Sequence, residues 1–215
     1  RSLRYTEILQ LFSEYLVFGG YPDVVLSKNI SDKIDKLYEL KNSFIKRDIL
    51  ESNVKNAQLF YGLLTLLSSQ TGNLLNKNSI SKILKCDIST VERYIYVLQK
   101  CFHITLLSPF YKNIKKEIVK MPKVYMNDLG MRNLLLNNFM DINIRMDKGE
   151  LLENYIFNRL KDLYYENSLH FWRTVAQNEI DFVVNDPVAG KKAFEVKFST
   201  NNVRLAKYKI FRETY

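Results

Sequence analysis

Near the end of the chain, two acidic residues and a lysine stand at spacings suited to phosphoryl chemistry. Apolar and polar residues alternate in Glu179-Ile180-Asp181-Phe182-Val183-Val184 and in Ala193-Phe194-Glu195-Val196-Lys197-Phe198, the period of a strand. Phe194, Val196 and Phe198 then share one face, with Glu195 and Lys197 on the other. Likewise Ile180, Phe182 and Val184 are expected in the core, with Glu179, Asp181 and Val183 pointing away. Neighbouring strands would bring Asp181, Glu195 and Lys197 together. In the helix before them, Leu152, Tyr155, Ile156 and Leu160 mark the buried stripe, and Glu153 at its edge could reach the same place. Carboxylates at close range raise one another's pKa unless a cation neutralises them. Mg²⁺ suits such a site, because it takes one or two carboxylates and completes its octahedron with water and substrate phosphate. The expected catalytic set is Asp181, Glu195, Lys197 and Glu153. The three carboxylates would ligate metal, and Lys197 would orient the nucleophile or balance developing charge. The competing reading is a strand with charges on its wet face, for which an isolated E-x-K is no evidence.

The elements that position these residues read as α-β-β-β-α over 149–215. They are a helix over 150–165, strands over 169–173, 179–184 and 193–198, and a helix over 203–213. Ahead of them, 128–148 reads as a short helix (128–137) and a connecting loop. Residues 57–127 carry the punctuation of a winged helix-turn-helix, with helices over 59–69, 79–85 and 89–101. Ser89-Thr90-Val91-Glu92 fits a capping box that would start the third helix. Val91, Ile95, Leu98 and Phe102 face inward by spacing, leaving Thr90, Arg93, Tyr94, Tyr96 and Gln99 on other faces. Strands over 104–109 and 118–126 would flank a wing bearing Lys112, Lys115 and Lys116. The third helix of such a module enters the major groove while basic wing residues meet phosphates, so Arg93, Gln99, Lys100, Lys112, Lys115 and Lys116 are the expected nucleic-acid contacts. Winged helices also bind proteins, so a protein partner or a homo-oligomer is the other expectation. Residues 1–56 read as a helical segment, with helices over 5–17 and 30–50 separated by Phe18-Gly19-Gly20-Tyr21-Pro22.

Composition narrows the classes. The 215 residues suffice for one large or two small domains, and 47% hydrophobic with 26% charged residues is ordinary for a globular protein. No apolar run approaches a membrane span, so no membrane partner is expected. Thirty-two Lys and Arg against 23 Asp and Glu give a formal net charge of +9 and a pI near 9.4, which favours an anionic partner such as DNA. Abundant Lys and Asn throughout the chain supply a second source for that charge. Cys86 and Cys101 form no CxxC, and His103 and His170 add no ligand spacing, so neither a zinc site nor a disulfide framework is readable. Free thiols without a signal peptide point to the cytoplasm. Neither a P-loop nor a G-x-G-x-x-G motif is present, which excludes an ATPase acting through this chain alone. The first residue, Arg1, reads as the start of a fragment.

The order of elements and residues resembles the PD-(D/E)xK restriction-endonuclease-like fold. The chain as a whole is similar to the C-terminal region of prokaryotic AAA-type ATPases known as domain of unknown function 4143. The resemblance rests on Phe18-Gly19-Gly20-Tyr21-Pro22, Ile45-Lys46-Arg47-Asp48-Ile49, Ser69-Gln70-Thr71-Gly72-Asn73, Thr90-Val91-Glu92-Arg93-Tyr94, Pro122-Lys123-Val124-Tyr125, Asp128-Leu129-Gly130, Gly149-Glu150-Leu151-Leu152-Glu153-Asn154, Phe171-Trp172-Arg173, Glu179-Ile180-Asp181-Phe182 and Glu195-Val196-Lys197. It implies an α+β or α/β chain preceded by an ATP-binding domain that alone hydrolyses ATP, and a nuclease-like sheet with a further strand beyond Tyr215. It also implies a Mg²⁺-dependent deoxyribonuclease site at Glu153, Asp181, Glu195 and Lys197. The alternative is a non-catalytic DNA- or protein-binding module coupled to the ATPase.

Overall fold

The computed structural model describes residues 2–111, 120–174, 177–188, 190–199 and 208–214. Helix α1 (Ser2–Phe18) ends at Gly19, whose φ of +76° and contact with the Asp128 carboxylate leave no room for a side chain. A helix not expected from the sequence, α2 (Pro22–Leu26), follows because Pro22 sits at a first helical position, where its fixed φ helps and its missing amide costs nothing. Helix α3 (Ile30–Glu51) carries buried Asp48, whose carboxylate pairs with His103 Nε2 at 2.7 Å and ties the helix to a turn 55 residues on.

Helices α4 (Ala57–Ser69), α5 (Lys77–Leu84) and α6 (Ile88–Lys100) precede an antiparallel pair, β1 (Ile104–Leu107) and β2 (Lys123–Met126), the element order of a winged helix. Asn56 and Asn76 cap α4 and α5, accepting from the Leu59 and Ser79 amides at 2.9 and 3.0 Å. Ile45, Phe60, Leu64, Val91, Leu98, Val124 and Met126 form the core that these elements share. Three expectations fail here. The capping box does not form, because Asp87 is the N-cap and the helix already includes Ser89; Glu92 pairs instead with Lys77 at 2.8 Å. Tyr94 is buried edge-on against Phe60, with its hydroxyl accepting from the Asn56 amide at 3.2 Å. Phe102 points outward, because α6 has ended and the backbone there adopts φ +59°. The wing, with Lys112, Lys115 and Lys116, lies outside the described residues.

Helix α7 (Leu129–Leu135) is capped by Asp128, and a loop held by buried Arg145, whose Nε and Nη2 donate to Asp147 at 2.8 Å, leads into α8 (Lys148–Leu163). The buried face of α8 holds Leu151, Asn154, Phe157, Asn158 and Leu160, a stripe rotated from the expected one. Two buried asparagines cause the rotation. Asn154 accepts from the Met126 amide at 3.0 Å and donates to the Met126 carbonyl at 2.7 Å, and Asn158 donates to the same carbonyl at 3.2 Å.

Strands β3 (Leu169–Arg173), β4 (Glu179–Asp186) and β5 (Gly190–Phe194) form a meander in the order β3-β4-β5. Phe171 of β3 also exchanges backbone hydrogen bonds with the chain after β1, donating to the Ser108 carbonyl at 3.2 Å and accepting from the Phe110 amide at 2.6 Å. The pairing of β3 with β4 shifts between His170↔Val183 and Trp172↔Ile180, so Asp181 and Phe182 together stand against Phe171 as a bulge. The bulge breaks the expected alternation. Ile180 now shares a core with Val183, Trp172, Phe110 and Phe211, while Phe182 and Val184 pack with Tyr125 and Phe157 on the other side. Beyond a segment outside the described residues, α9 (Lys209–Thr214) supplies Phe211. Both sheets are antiparallel, which makes the class α+β. Among the described residues no helix is long and apolar enough to cross a membrane.

Candidate functional site

Side chains alternate along β2, so Lys123 and Tyr125 leave one face together, and both reach Glu153 of α8. The Tyr125 hydroxyl donates to Glu153 Oε1 at 2.6 Å, and Lys123 Nζ lies 3.2 Å from the same oxygen. Glu153 is delivered there by its neighbour Asn154, whose two bonds to Met126 fix α8 against β2. Gly72, at φ +77°, lets the turn after α4 approach, since a Cβ on it would lie 3.2 Å from Glu153 Oε1.

From the other side comes β4. Glu179 at its start pairs with Lys123 at 2.5 Å and with Arg173 of β3 at 3.3 Å. Lys123 is thus a buried ammonium between two carboxylates. Burial alone pushes its pKa down, but Glu153, Glu179 and Asp181 outweigh that and hold it above the usual lysine value. The Tyr125 hydroxyl is pushed well up by burial and then by Glu153.

Asp181 is only 9% exposed, and its Oδ2 accepts from the Val196 amide at 2.7 Å. Burial, the Glu153 charge and the Glu195 charge push its carboxyl up to about 6 against the pull of that amide and of Lys123. Register places Phe182 opposite Phe194, so the residues that follow β5 run past Asp181. The regular strand stops at Phe194, short of the expected 193–198, yet Phe194 and Val196 still pack on the core containing Phe182. Phe198, expected inside, is exposed and lies under Lys148 Nζ at 5.0 Å. Lys197 pairs with Glu195 at 2.6 Å, and its ammonium also donates to the Val196 carbonyl at 3.1 Å.

The structure therefore gathers Glu153, Asp181, Glu195 and Lys197 into one charged region. It adds Lys123, Tyr125 and Glu179, which pattern reading left out of the site. The hard oxygen donors of Asp181 and Glu195 suit Mg²⁺, which commonly takes only one or two protein carboxylates. Glu153 has its Oε1 shared between Lys123 and Tyr125, and among the described residues no group of three His, Cys, Asp or Glu side chains is arranged to hold a metal ion. Asp181 and Glu195 are thus the two carboxylates whose donor chemistry suits such an ion, with Glu195 also paired to Lys197. On α6, Arg93, Gln99 and Lys100 are all exposed, with Arg93 over the Tyr94 ring at 5.2 Å and Lys100 over the Tyr96 ring at 5.5 Å.

Residues 9–141, more than half of the chain, match the family model described as Domain of unknown function (DUF8612). The chain belongs to that family. Residues 148–215 match a second model, Domain of unknown function (DUF4143), so the resemblance drawn from the sequence over nearly the whole length is divided between two families. The DUF4143 match covers α8, the β3-β4-β5 meander and all four residues expected to be catalytic. Among curated relatives, Uncharacterized protein Rv2008c of Mycobacterium tuberculosis is 25% identical over 185 residues, covering 83% of this chain and 41% of its own length. Uncharacterized protein MJ1544 of Methanocaldococcus jannaschii is 25% identical over 190 residues, covering 85% of this chain and 41% of its own. The chain thus spans 41% of the length of these relatives. No solved structure matches it.

Proposed function

We propose that this chain is a DNA-associated module of a larger ATPase and that its DUF4143 portion carries a nuclease-like, divalent-cation-dependent phosphodiesterase site. The observation that carries this reading is the convergence of Asp181, Glu195 and Lys197, with the Val196 amide clamped on the Asp181 carboxylate. Asp181 and Glu195 would hold the cation, which supplies a lowered water pKa and positive charge against the phosphodiester. The chain's own groups do the rest. Lys197 presents an ammonium beside Glu195 that can balance charge on the substrate. Lys123 pairs with Glu153 and Glu179, while Asp181 and Glu195, the latter paired with Lys197, supply the oxygens that would meet the cation. Exposed Arg93, Gln99 and Lys100 on α6, together with the net charge of +9, support contact with DNA. The greater length of the relatives is compatible with an ATP-binding domain in the whole protein.

A second reading, a non-catalytic binding module, is favoured by the same Lys123 bridges, which make much of the acidic region an internal ion-pair network. Plasmid nicking in Mg²⁺ or Mn²⁺ separates the two. Wild-type cleavage that is lost in both Asp181→Asn and Glu195→Gln supports the phosphodiesterase. Cleavage retained in Asp181→Asn overturns the site, and absence of cleavage with intact DNA binding favours the second reading.

A further inference from the structure

A groove of about 520 Å³ opens beside the C-terminal end of α6, lined in part by Tyr96, Lys100, Phe102, Thr105 and Lys161. Its two aromatic rings are displayed to solvent, Tyr96 being 59% and Phe102 80% exposed. For Phe102 this is not a by-product of helix geometry. A bulky residue at φ +59° is an outlier, and the direction of its side chain follows from that backbone conformation. The conformation is fastened by Asn127, whose Nδ2 donates to the Phe102 carbonyl at 2.8 Å and whose amide donates to the His103 carbonyl at 3.0 Å. The same Asn127 organises the groove floor, its Oδ1 accepting from Lys161 at 2.8 Å and from Thr105 Oγ1 at 2.7 Å. One side chain thus holds an exposed phenyl ring outward and a lysine in place beside it. Lys100, over the Tyr96 ring at 5.5 Å, adds a second cation, and among the described residues no carboxylate lines the groove.

Exposed flat rings interleaved with cations, without acidic groups, complement unpaired bases on a phosphate backbone. An acidic peptide would use the lysines but has no need of two displayed rings. We infer that this groove binds single-stranded DNA, with Tyr96 and Phe102 stacking bases and Lys100 and Lys161 meeting phosphates. The inference deepens the DNA-association reading and rests on it. It adds the strandedness of the substrate and moves the contact from the major-groove face of α6 to its C-terminal end.

The test is fluorescence anisotropy of labelled oligothymidylate and of a duplex of equal length, using the whole chain. The proteins compared are wild type, Phe102→Leu, Tyr96→Ala, Lys161→Gln and the control Tyr165→Ala, an aromatic 86% exposed that does not line the groove. Each ring substitution should weaken oligothymidylate binding roughly tenfold, with unchanged thermal melting and with duplex affinity and the control unaffected. Lys161→Gln should flatten the dependence of that affinity on salt. If both nucleic acids bind and the ring substitutions change nothing, the groove assignment is wrong while DNA association stands. If neither binds, DNA association fails and takes the groove with it. Oligouridylate bound more tightly through the same rings, or displacement by polyglutamate with the same sensitivity to substitution, would overturn the assignment to DNA.

Discussion

The Val196 amide donates to Asp181 Oδ2 at 2.7 Å, so the segment carrying Glu195 and Lys197 is fastened to β4 by the carboxylate it is proposed to work with. Strand pairing ends at Phe194, and this one bond continues the approach of the two segments across a side chain rather than a backbone. Asp181 thereby joins structure to site, and its burial carries an energetic cost that can be measured.

That cost has a definite sign. The folded pKa of Asp181 is raised from 3.8 to about 6, so between those values the folded state holds a proton that the unfolded state has released. Stability therefore falls as pH rises through this window and stays lower above it. Asp181→Asn, which retains an oxygen for the Val196 amide, should stabilise the metal-free protein at pH 7 by about 3 kcal/mol. It should also flatten the pH profile between about 4 and 6. Urea unfolding of both proteins across that range checks it, and a variant that is less stable at pH 7 would contradict the assignment.

Lys123→Met should act in the opposite direction. It removes the buried cation that bridges Glu153 and Glu179, leaving Glu179 to Arg173 and Glu153 to the Tyr125 hydroxyl, at a cost of about 3–5 kcal/mol. Adding Glu179→Gln to the variant should recover part of the loss, and denaturant midpoints of the single and double variants measure how much.

Asn154→Ala should cost about 1–3 kcal/mol, because the Met126 amide becomes an unpaired buried donor. The Met126 carbonyl keeps its bond from Asn158 Nδ2 at 3.2 Å, so the amide is the group that suffers. Chemical denaturation gives the stability change, and hydrogen exchange at Met126 should speed up selectively.

Arg93→Ala should weaken duplex binding and lower the slope of log affinity against log salt by about 1 if the guanidinium meets a phosphate. A reduced affinity with an unchanged slope would place Arg93 outside the phosphate contacts.

How much of this was legible in the sequence depends on the distance over which each feature is determined. Alternation in 193–198 was enough to group Glu195 with Lys197 and to place Phe194 and Val196 against the core, because a two-residue period is local. It was not enough for β4, where a bulge visible only through pairing with β3 sends Ile180 and Val183 to one side and Phe182 to the other. Lys123 and Tyr125 lie 30 and 28 residues from Glu153, and no periodicity links them. Asn154 and Asn158 turn α8 away from its apolar stripe, since hydropathy assigns asparagine to the surface and their partner, the Met126 backbone, lies 28 and 32 residues away. Phe102 continued the inward stripe of α6 on paper, but the helix ended at Lys100 and a left-handed residue reversed its direction.

The most direct measurement of the central claim is calorimetric titration of Mn²⁺ and Mg²⁺ into the wild-type chain at pH 7 and pH 5, alongside Asp181→Asn and Glu195→Gln. The account predicts one site in the wild type, weaker at pH 5 because a proton competes for Asp181, and no site in either variant. Wild-type binding that survives Asp181→Asn unchanged, or no binding at pH 7, would contradict it.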